Sequence, residues 1–207
     1  DLRRPEAVAP LTRLLADPDT PVRIAAAGAL ARFGEAARPS VPSLARLLDT
    51  GDARLRDTAR EALAAIGGPQ AQAALAGEAA RFAAADEARY RSLRSGPPLA
   101  VAQHLRGLPQ DRRKALAPIV AADANPAIAQ LGAFAVAETG GDAAPHFARI
   151  IAQTDDGETV LGAIARVGDD QLARAVIDRL RADYPRLGEA ARQRVARLFA
   201  ALRLPPP

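Results

Sequence analysis

Apolar side chains recur three or four positions apart at the start of the chain, in short runs that polar turns interrupt. One run falls within residues 8–15 and the next within residues 22–33, and Asp17-Pro18 separates them. This spacing is typical of amphipathic helices. Thr20 before Pro21 predicts an N-cap with proline at the first helical position, and Gly34 predicts the end of the second helix in a left-handed conformation. The pattern therefore predicts two helices joined by a tight turn.

This helix pair is repeated further along the chain. A shift of 33 residues superposes eleven identical residues over positions 11–34. Matches within this set include Asp19 on Asp52, Arg23 on Arg56, and Gly34 on Gly67. Self-similarity at a fixed period indicates a solenoid, in which successive helix pairs stack on one another.

The order of residue types in each pair resembles a known family. Paired leucines, an Asp-Pro-Asp turn, Val-Arg and an alanine-rich helix that ends in glycine resemble a HEAT repeat, and most closely the short type named for phycobilisome lyases. The resemblance is clear over residues 5–67 and degenerate beyond them. It implies that a turn Asp and an Arg of the second helix form a ladder between neighbouring repeats. The residues at these ladder positions are Asp19, Arg23, Asp52 and Arg56.

The remainder of the chain carries a weaker version of the same pattern. Residues 70–94 predict one long helix, and residues 97–203 predict degenerate repeats after a proline and glycine break. Within them, residues 109–140 match the first pair at an offset of 106, although Ala129 replaces the ladder arginine. A further degenerate repeat is predicted from Ala143 to Gly168.

These patterns together predict the fold class. We expect an all-α, right-handed α-solenoid of HEAT-like helix pairs over residues 1–207, with about ten or eleven helices and no strand. The proline-rich end, residues 204–207, predicts a linker. The abundance of alanine and the 3% share of aromatic residues agree with closely packed helices.

No residue set typical of catalysis or metal binding is present in the sequence. There is no Cys, and His104 and His146 have no acidic neighbour at metal-ligand spacing. Residues 155–158, Asp-Asp-Gly-Glu, lack the ligand pattern of a calcium loop and precede a helix, so they are expected to cap it, as is Asp169 with its neighbour. Neither a phosphate loop nor a nucleophile elbow occurs. We expect no enzyme activity, cofactor or metal.

Charge indicates one candidate surface. The net charge is +4, and residues 67–115 hold eight basic residues against four acidic ones. We call the residues of this excess the central basic set: Arg89, Arg91, Arg94, Arg112, Arg113 and Lys114. They form either a solvated helix face or a patch for an acidic partner. Nucleic acid is the weaker form of the second interpretation, because no aromatic residues are interleaved.

Two further candidates come from the repeat alignment. Phe134 falls on Gly28, off the centre of the apolar stripe, and either packs on an adjacent helix or anchors a partner. The second helices of the first two repeats offer an alternative ridge, formed by Arg32, Asp57, Arg60 and Glu61.

The sequence therefore favours a non-enzymatic protein-binding scaffold or recognition domain, expected to be part of a larger bacterial protein. The first residue is not Met, which fits a processed chain or a domain, and no run of 18 apolar residues predicts a membrane span. Two alternatives remain open. One is binding of nucleic acid or another polyanion through the central basic set. The other, implied by the resemblance, is an accessory of the lyase type.

Overall fold

The computed structural model describes residues 5–167 and 169–207, and in these residues the chain forms twelve α-helices, three 3-10 helices and no strand. The α-helices are α1 (Val8–Leu14), α2 (Thr20–Phe33), α3 (Val41–Leu47), α4 (Ala53–Ile66), α5 (Gly68–Leu93), α6 (Pro98–Gly107), α7 (Gln110–Ala121), α8 (Pro126–Glu138), α9 (Ala144–Gln153), α10 (Gly157–Arg166), α11 (Asp170–Asp183) and α12 (Glu189–Ala201). The predicted all-α class is confirmed. Gly168, the predicted end of a degenerate repeat, lies outside the described residues.

The chain divides into two compact units, and the boundary lies inside α5, between Phe82 and Ala83. In the first unit, α2 packs along α4 over a core that includes the fully buried Leu30 and Leu63. The second unit has a core of its own, in which Phe147 and Phe199 are the largest fully buried side chains. That the two units continue one solenoid stays a prediction.

The turn inside each helix pair is built in the same way. In the α1–α2 turn, the Asp19 amide donates to Asp17 Oδ1 at 2.9 Å, and in the α7–α8 turn the Asn125 amide donates to Asp123 Oδ1 at 2.8 Å. Threonine hydroxyls take the acceptor position in the turns before α4 and α10, where the distances are 3.4 and 3.2 Å. A side-chain acceptor two residues before the amide stabilises such a turn. The predicted period is therefore visible as a recurring local structure.

The ends of the second helices follow the sequence in part. Gly34, Gly67 and Gly140 all have positive φ angles, of 53°, 67° and 76°, which a residue with a Cβ adopts only with strain.

The prediction for the start of α2 was wrong. Asp19, not Thr20, is the N-cap residue, and its side chain makes no capping bond.

Helices α7 and α8 approach each other closely at Gly132. A Cβ on Gly132 would lie 2.6 Å from Ala121 Cα, so any larger residue would push the two helices apart. Ile128, Ala129 and Val136 of α8 are buried around this contact. Ala129, which stands where the first repeats have arginine, thus faces the core of the second unit.

Candidate functional site

The first unit carries an open groove between the first helices of the two repeats. Helix α1, the 3-10 helix Gly34–Ser40 and α3 surround about 990 Å³. Its apolar lining includes Val8, Leu15, Pro39 and Leu47. We call this surface the α1–α3 groove. Val8 and Leu15 belong to the buried core beneath the groove, whereas Pro39 is exposed and Leu47 is half-buried.

A partly buried hydrogen bond fixes one wall of the groove. The hydroxyl groups of Thr12 and Ser40 lie 2.7 Å apart, and Thr12 also donates to the Val8 carbonyl at 2.7 Å. Ser40 is fully buried. Since a buried hydroxyl without a partner is costly, this pair holds α1 in one position against the 3-10 helix.

Two arginines occupy equivalent positions along the α1–α3 groove. Arg13 of α1 and Arg46 of α3 are 33 residues apart, the repeat period, and both side chains are exposed. Arg46 donates to the Ser43 hydroxyl at 3.1 Å. Neither arginine forms an ion pair with any residue in the described part of the chain. The repeat thus places two uncompensated guanidinium groups beside an apolar surface.

The ladder residues close turns within their own repeats. Arg23 donates to the carbonyl oxygens of Asp17 and Pro18 at 2.7 and 3.1 Å, and to the Thr20 hydroxyl at 2.7 Å. In the second repeat, Arg56 donates to the Thr50 carbonyl at 3.3 Å.

The other contacts of the ladder residues are also local to the first unit. Asp52 caps α4 by accepting from the Leu55 amide at 3.0 Å, and the Arg56 guanidinium lies 5.5 Å from the centre of the Phe82 ring. The structural role of the four residues stays a prediction. The bonds shown for these arginines do not reach an aspartate of the adjacent repeat, so they do not form the expected ladder.

The central basic set is largely compensated by carboxylates. Arg112 binds Asp86 through two hydrogen bonds of 2.6 and 2.8 Å, and Arg94 lies 3.0 Å from Asp123. Arg91 pairs with Glu87, and Arg113 reaches Glu138 at 3.4 Å. Arg89 and Lys114 are exposed and form no ion pair with the described residues. These contacts favour a structural role for most of the set over a patch of six free charges.

The other two candidate surfaces also contain structural residues. Phe134 packs edge-to-face on Phe147, with ring centres 4.9 Å apart, which supports the packing alternative. In the ridge, Arg60 binds both carboxylate oxygens of Glu78 at 3.0 and 3.1 Å and also reaches Asp57 at 2.9 Å. Arg32 and Glu61 remain exposed.

The remaining polar candidates have structural surroundings. His104 lies 3.3 Å from the Asp86 carbonyl, and burial followed by the nearby Arg149 lowers the pKa of His146. The capping prediction was wrong for Asp156, whose side chain does not cap α10, and correct for Asp169, which accepts from the Leu172 amide at 2.8 Å. Asp155 instead pairs with Arg194 and Arg197 of α12. The described residues contain no group of acidic or histidine side chains arranged to hold a metal ion.

Helix α5 places acidic residues on its buried side, which the sequence analysis missed. Glu78 and Asp86 of α5 are more than nine-tenths buried. So is Asp123, which follows α7 and accepts a hydrogen bond from Tyr90 of α5. The Glu78 hydrogen bond raises the pKa of Arg60, and the Asp86 bond raises that of Arg112. Each buried carboxylate is matched by a cationic or phenolic donor from another part of its own unit. The spacing of Asp86 and Tyr90, four positions apart in one helix, was a signal that these two side chains share a face.

Burial and the hydrogen bond to Asp123 raise the pKa of Tyr90 to about 12. Burial alone would raise the pKa of Asp123, but the bonds from Tyr90, the Asn125 amide and Arg94 together lower it. This pair is therefore a phenol beside an ionised carboxylate at neutral pH.

The first unit contains two helix pairs that repeat at 33 residues and end in glycine, which is typical of α-solenoid repeats. The family model for HEAT repeats matches residues 1–64, so this part of the chain is a HEAT-repeat segment. Nothing in that match singles out the phycobilisome-lyase type. No curated protein matches the sequence. A solved structure of an engineered protein from the Northeast Structural Genomics Consortium aligns with a TM-score of 0.37 and 20% identity, covering 91% of this chain and 96% of that one.

HEAT repeats generally serve as scaffolds for interactions with other proteins. Within the described residues, no helix is both long enough and apolar enough to cross a membrane.

Proposed function

We propose that the chain is a non-catalytic protein-binding module and that the α1–α3 groove receives an acidic segment of another protein that carries apolar anchors. The observation that carries the proposal is the placement of Arg13 and Arg46 at equivalent repeat positions beside an apolar groove. The groove residues all fall within the segment that matches HEAT repeats.

The chemistry of the groove specifies the partner. Covering of the exposed Pro39 and the half-buried Leu47 by apolar anchors would stabilise a complex, because it removes apolar area from water. The two guanidinium groups would pair with aspartate or glutamate and raise the association rate for an acidic segment. An extended peptide passing both arginines would meet the same charge twice at the repeat spacing.

Selection from a random peptide library tests this proposal. Peptides enriched on the wild-type chain should combine Asp or Glu with large apolar residues, and one of them is then measured by fluorescence anisotropy. Reversal of both charges, with Arg13→Glu and Arg46→Glu, should weaken binding by about tenfold or more, since each exposed pair contributes up to about 1 kcal/mol. Binding should also weaken as salt concentration rises.

A matched variant separates the groove from general surface charge. Arg32→Glu with Arg54→Glu reverses two exposed arginines of α2 and α4 in the same unit, and neither residue is in an ion pair with the described residues. This variant should bind the selected peptide nearly as the wild type does. Equal loss in both double variants, or enriched peptides without acidic residues, would contradict the proposal.

A further inference from the structure

The second unit contains a separate cavity, which also combines apolar walls with two arginines. Helices α6, α7, α8, α10 and α11 border an open space of about 400 Å³, which lies within the range of small-molecule sites. The apolar lining comes mainly from Leu105, Leu131, Phe134, Ile164 and Leu172. We call this space the α8 cavity. It shares no residue with the α1–α3 groove.

Two guanidinium groups lie among the residues that line the α8 cavity. Arg106 is exposed and forms no ion pair with the described residues. Arg113 is only 25% exposed, and its three bonds are long: 3.4 Å to Glu138, 3.3 Å to the Arg106 carbonyl and 3.2 Å to the Leu108 carbonyl. Its buried Nε has no hydrogen-bond partner. A guanidinium has five donor hydrogens, so Arg113 keeps unused donor capacity.

Two carboxylates, Glu138 and Asp169, also line the α8 cavity, and they compensate its two arginines only weakly. Asp169 uses Oδ1 to cap α11, at 2.8 Å from the Leu172 amide. Glu138 is 62% exposed and touches Arg113 only at 3.4 Å. A ligand carboxylate that reaches Arg113 at normal hydrogen-bond distance would replace a weak contact with a stronger one.

We propose that the α8 cavity binds an amphiphilic carboxylate, with its alkyl chain against Leu131 and Phe134 and its head group at Arg106 and Arg113. The aliphatic and aromatic walls fit a saturated chain, and the two cations that line the cavity fit an anionic end. A peptide C-terminus offers the same head group, but its backbone amides would lack partners among apolar walls.

Isothermal titration calorimetry with decanoate tests the inference on the full chain. We expect one decanoate per chain, weaker binding of decanol and no binding of decyltrimethylammonium, all below their micelle concentrations. Arg106→Gln should weaken decanoate binding by about tenfold, the effect of one charge-assisted hydrogen bond, and should leave decanol unchanged. Arg89→Gln is the matched control, because Arg89 is also exposed and without an ion pair among the described residues.

A second pair of variants tests the location. Ala102 is half-buried and lines the cavity, so Ala102→Phe should block decanoate, whereas Ala190→Phe on the exposed side of α12 should not. Circular dichroism checks that each variant is folded, and Arg106→Gln keeps the test decisive if Ala102→Phe unfolds. Three results would each overturn the inference. They are decanol that binds as tightly as decanoate, an Arg106→Gln variant that binds decanoate like the wild type, and a wild-type chain that binds a leucine-terminated peptide but not decanoate. The Arg13 and Arg46 variants should bind decanoate normally.

Discussion

Tyr90 and Asp123 form a buried phenol–carboxylate pair that links proton binding to stability. The pKa of Tyr90 is raised from 10.0 to about 12 by burial and then by the hydrogen bond to Asp123. Because the phenol is harder to ionise in the folded chain than in the unfolded chain, its stabilisation is complete below pH 10. It is lost as the pH rises from about 10 to about 12.

The phenol titration gives the first prediction. Asp123→Asn should lower the pKa of Tyr90, because both the charge and the accepting carboxylate that oppose ionisation are removed. The measurement is absorbance at alkaline pH in a Tyr184→Phe background, in which Tyr90 is the only tyrosine. Asp178→Asn, at an exposed residue of the same unit, is the control. A Tyr90 titration that does not move would show that the carboxylate has no influence on the phenol.

At the scale of the element, α8 depends on one glycine for its contact with α7. Gly132→Ala should destabilise the chain by about 3 kcal/mol or more, because the added methyl group meets the α7 backbone and not a flexible side chain. Gly28→Ala in α2 is the matched control. A Cβ there meets nothing within 4 Å, so the substitution should stabilise by about 0.5–1 kcal/mol.

Urea denaturation followed by circular dichroism measures both glycine variants. Similar midpoints for Gly132→Ala and the wild type would mean that α7 and α8 can separate without cost. A destabilised Gly28→Ala variant would show that the open space at α2 is occupied.

How far sequence predicts structure differs from element to element. The first four helices and their glycine stops follow from the 33-residue repeat, because each copy confirms the other. The buried side of α5 could not be predicted in the same way. Glu78 and Asp86 pair with arginines 18 and 26 residues away, and neither separation matches the repeat period. In the sequence these charged residues therefore indicate only a solvated helix face. The α1–α3 groove could not be predicted either, because the 3-10 helix Gly34–Ser40 forms part of it and a pattern of two helices per repeat does not include that segment.

The same limit applies to the candidate surfaces. The sequence correctly located the basic excess, but the ion pairs that compensate it depend on which helices meet. Arg13 and Arg46 were visible as repeat-equivalent residues, yet only the structure shows that they lie along an apolar groove and lack carboxylate partners within the described residues.

At the scale of the whole molecule, each unit has a hydrophobic core of its own. Leu44→Ala in the first core should cost about 2–5 kcal/mol and reduce amide protection in α2 and α4. Ile150→Ala in the second core should do the same for α8 and α9. Hydrogen exchange read by mass spectrometry distinguishes the two patterns. Loss of protection throughout the chain in both variants would show that the two cores unfold as one.

The arginine hydrogen bonds that close the turns of the first two repeats affect whether a repeat can be duplicated. Arg23 and Arg56 close turns that belong to their own repeats, so a duplicated copy of either repeat would bring its own closure with it. In the α7–α8 pair, alanine replaces that arginine, and the turn residue Asp123 is held by Tyr90 and Arg94 of α5. A copy of that pair inserted elsewhere would carry a buried carboxylate without its donors. The turns of the first two repeats would therefore stay closed after duplication, whereas the turn of the α7–α8 pair depends on α5.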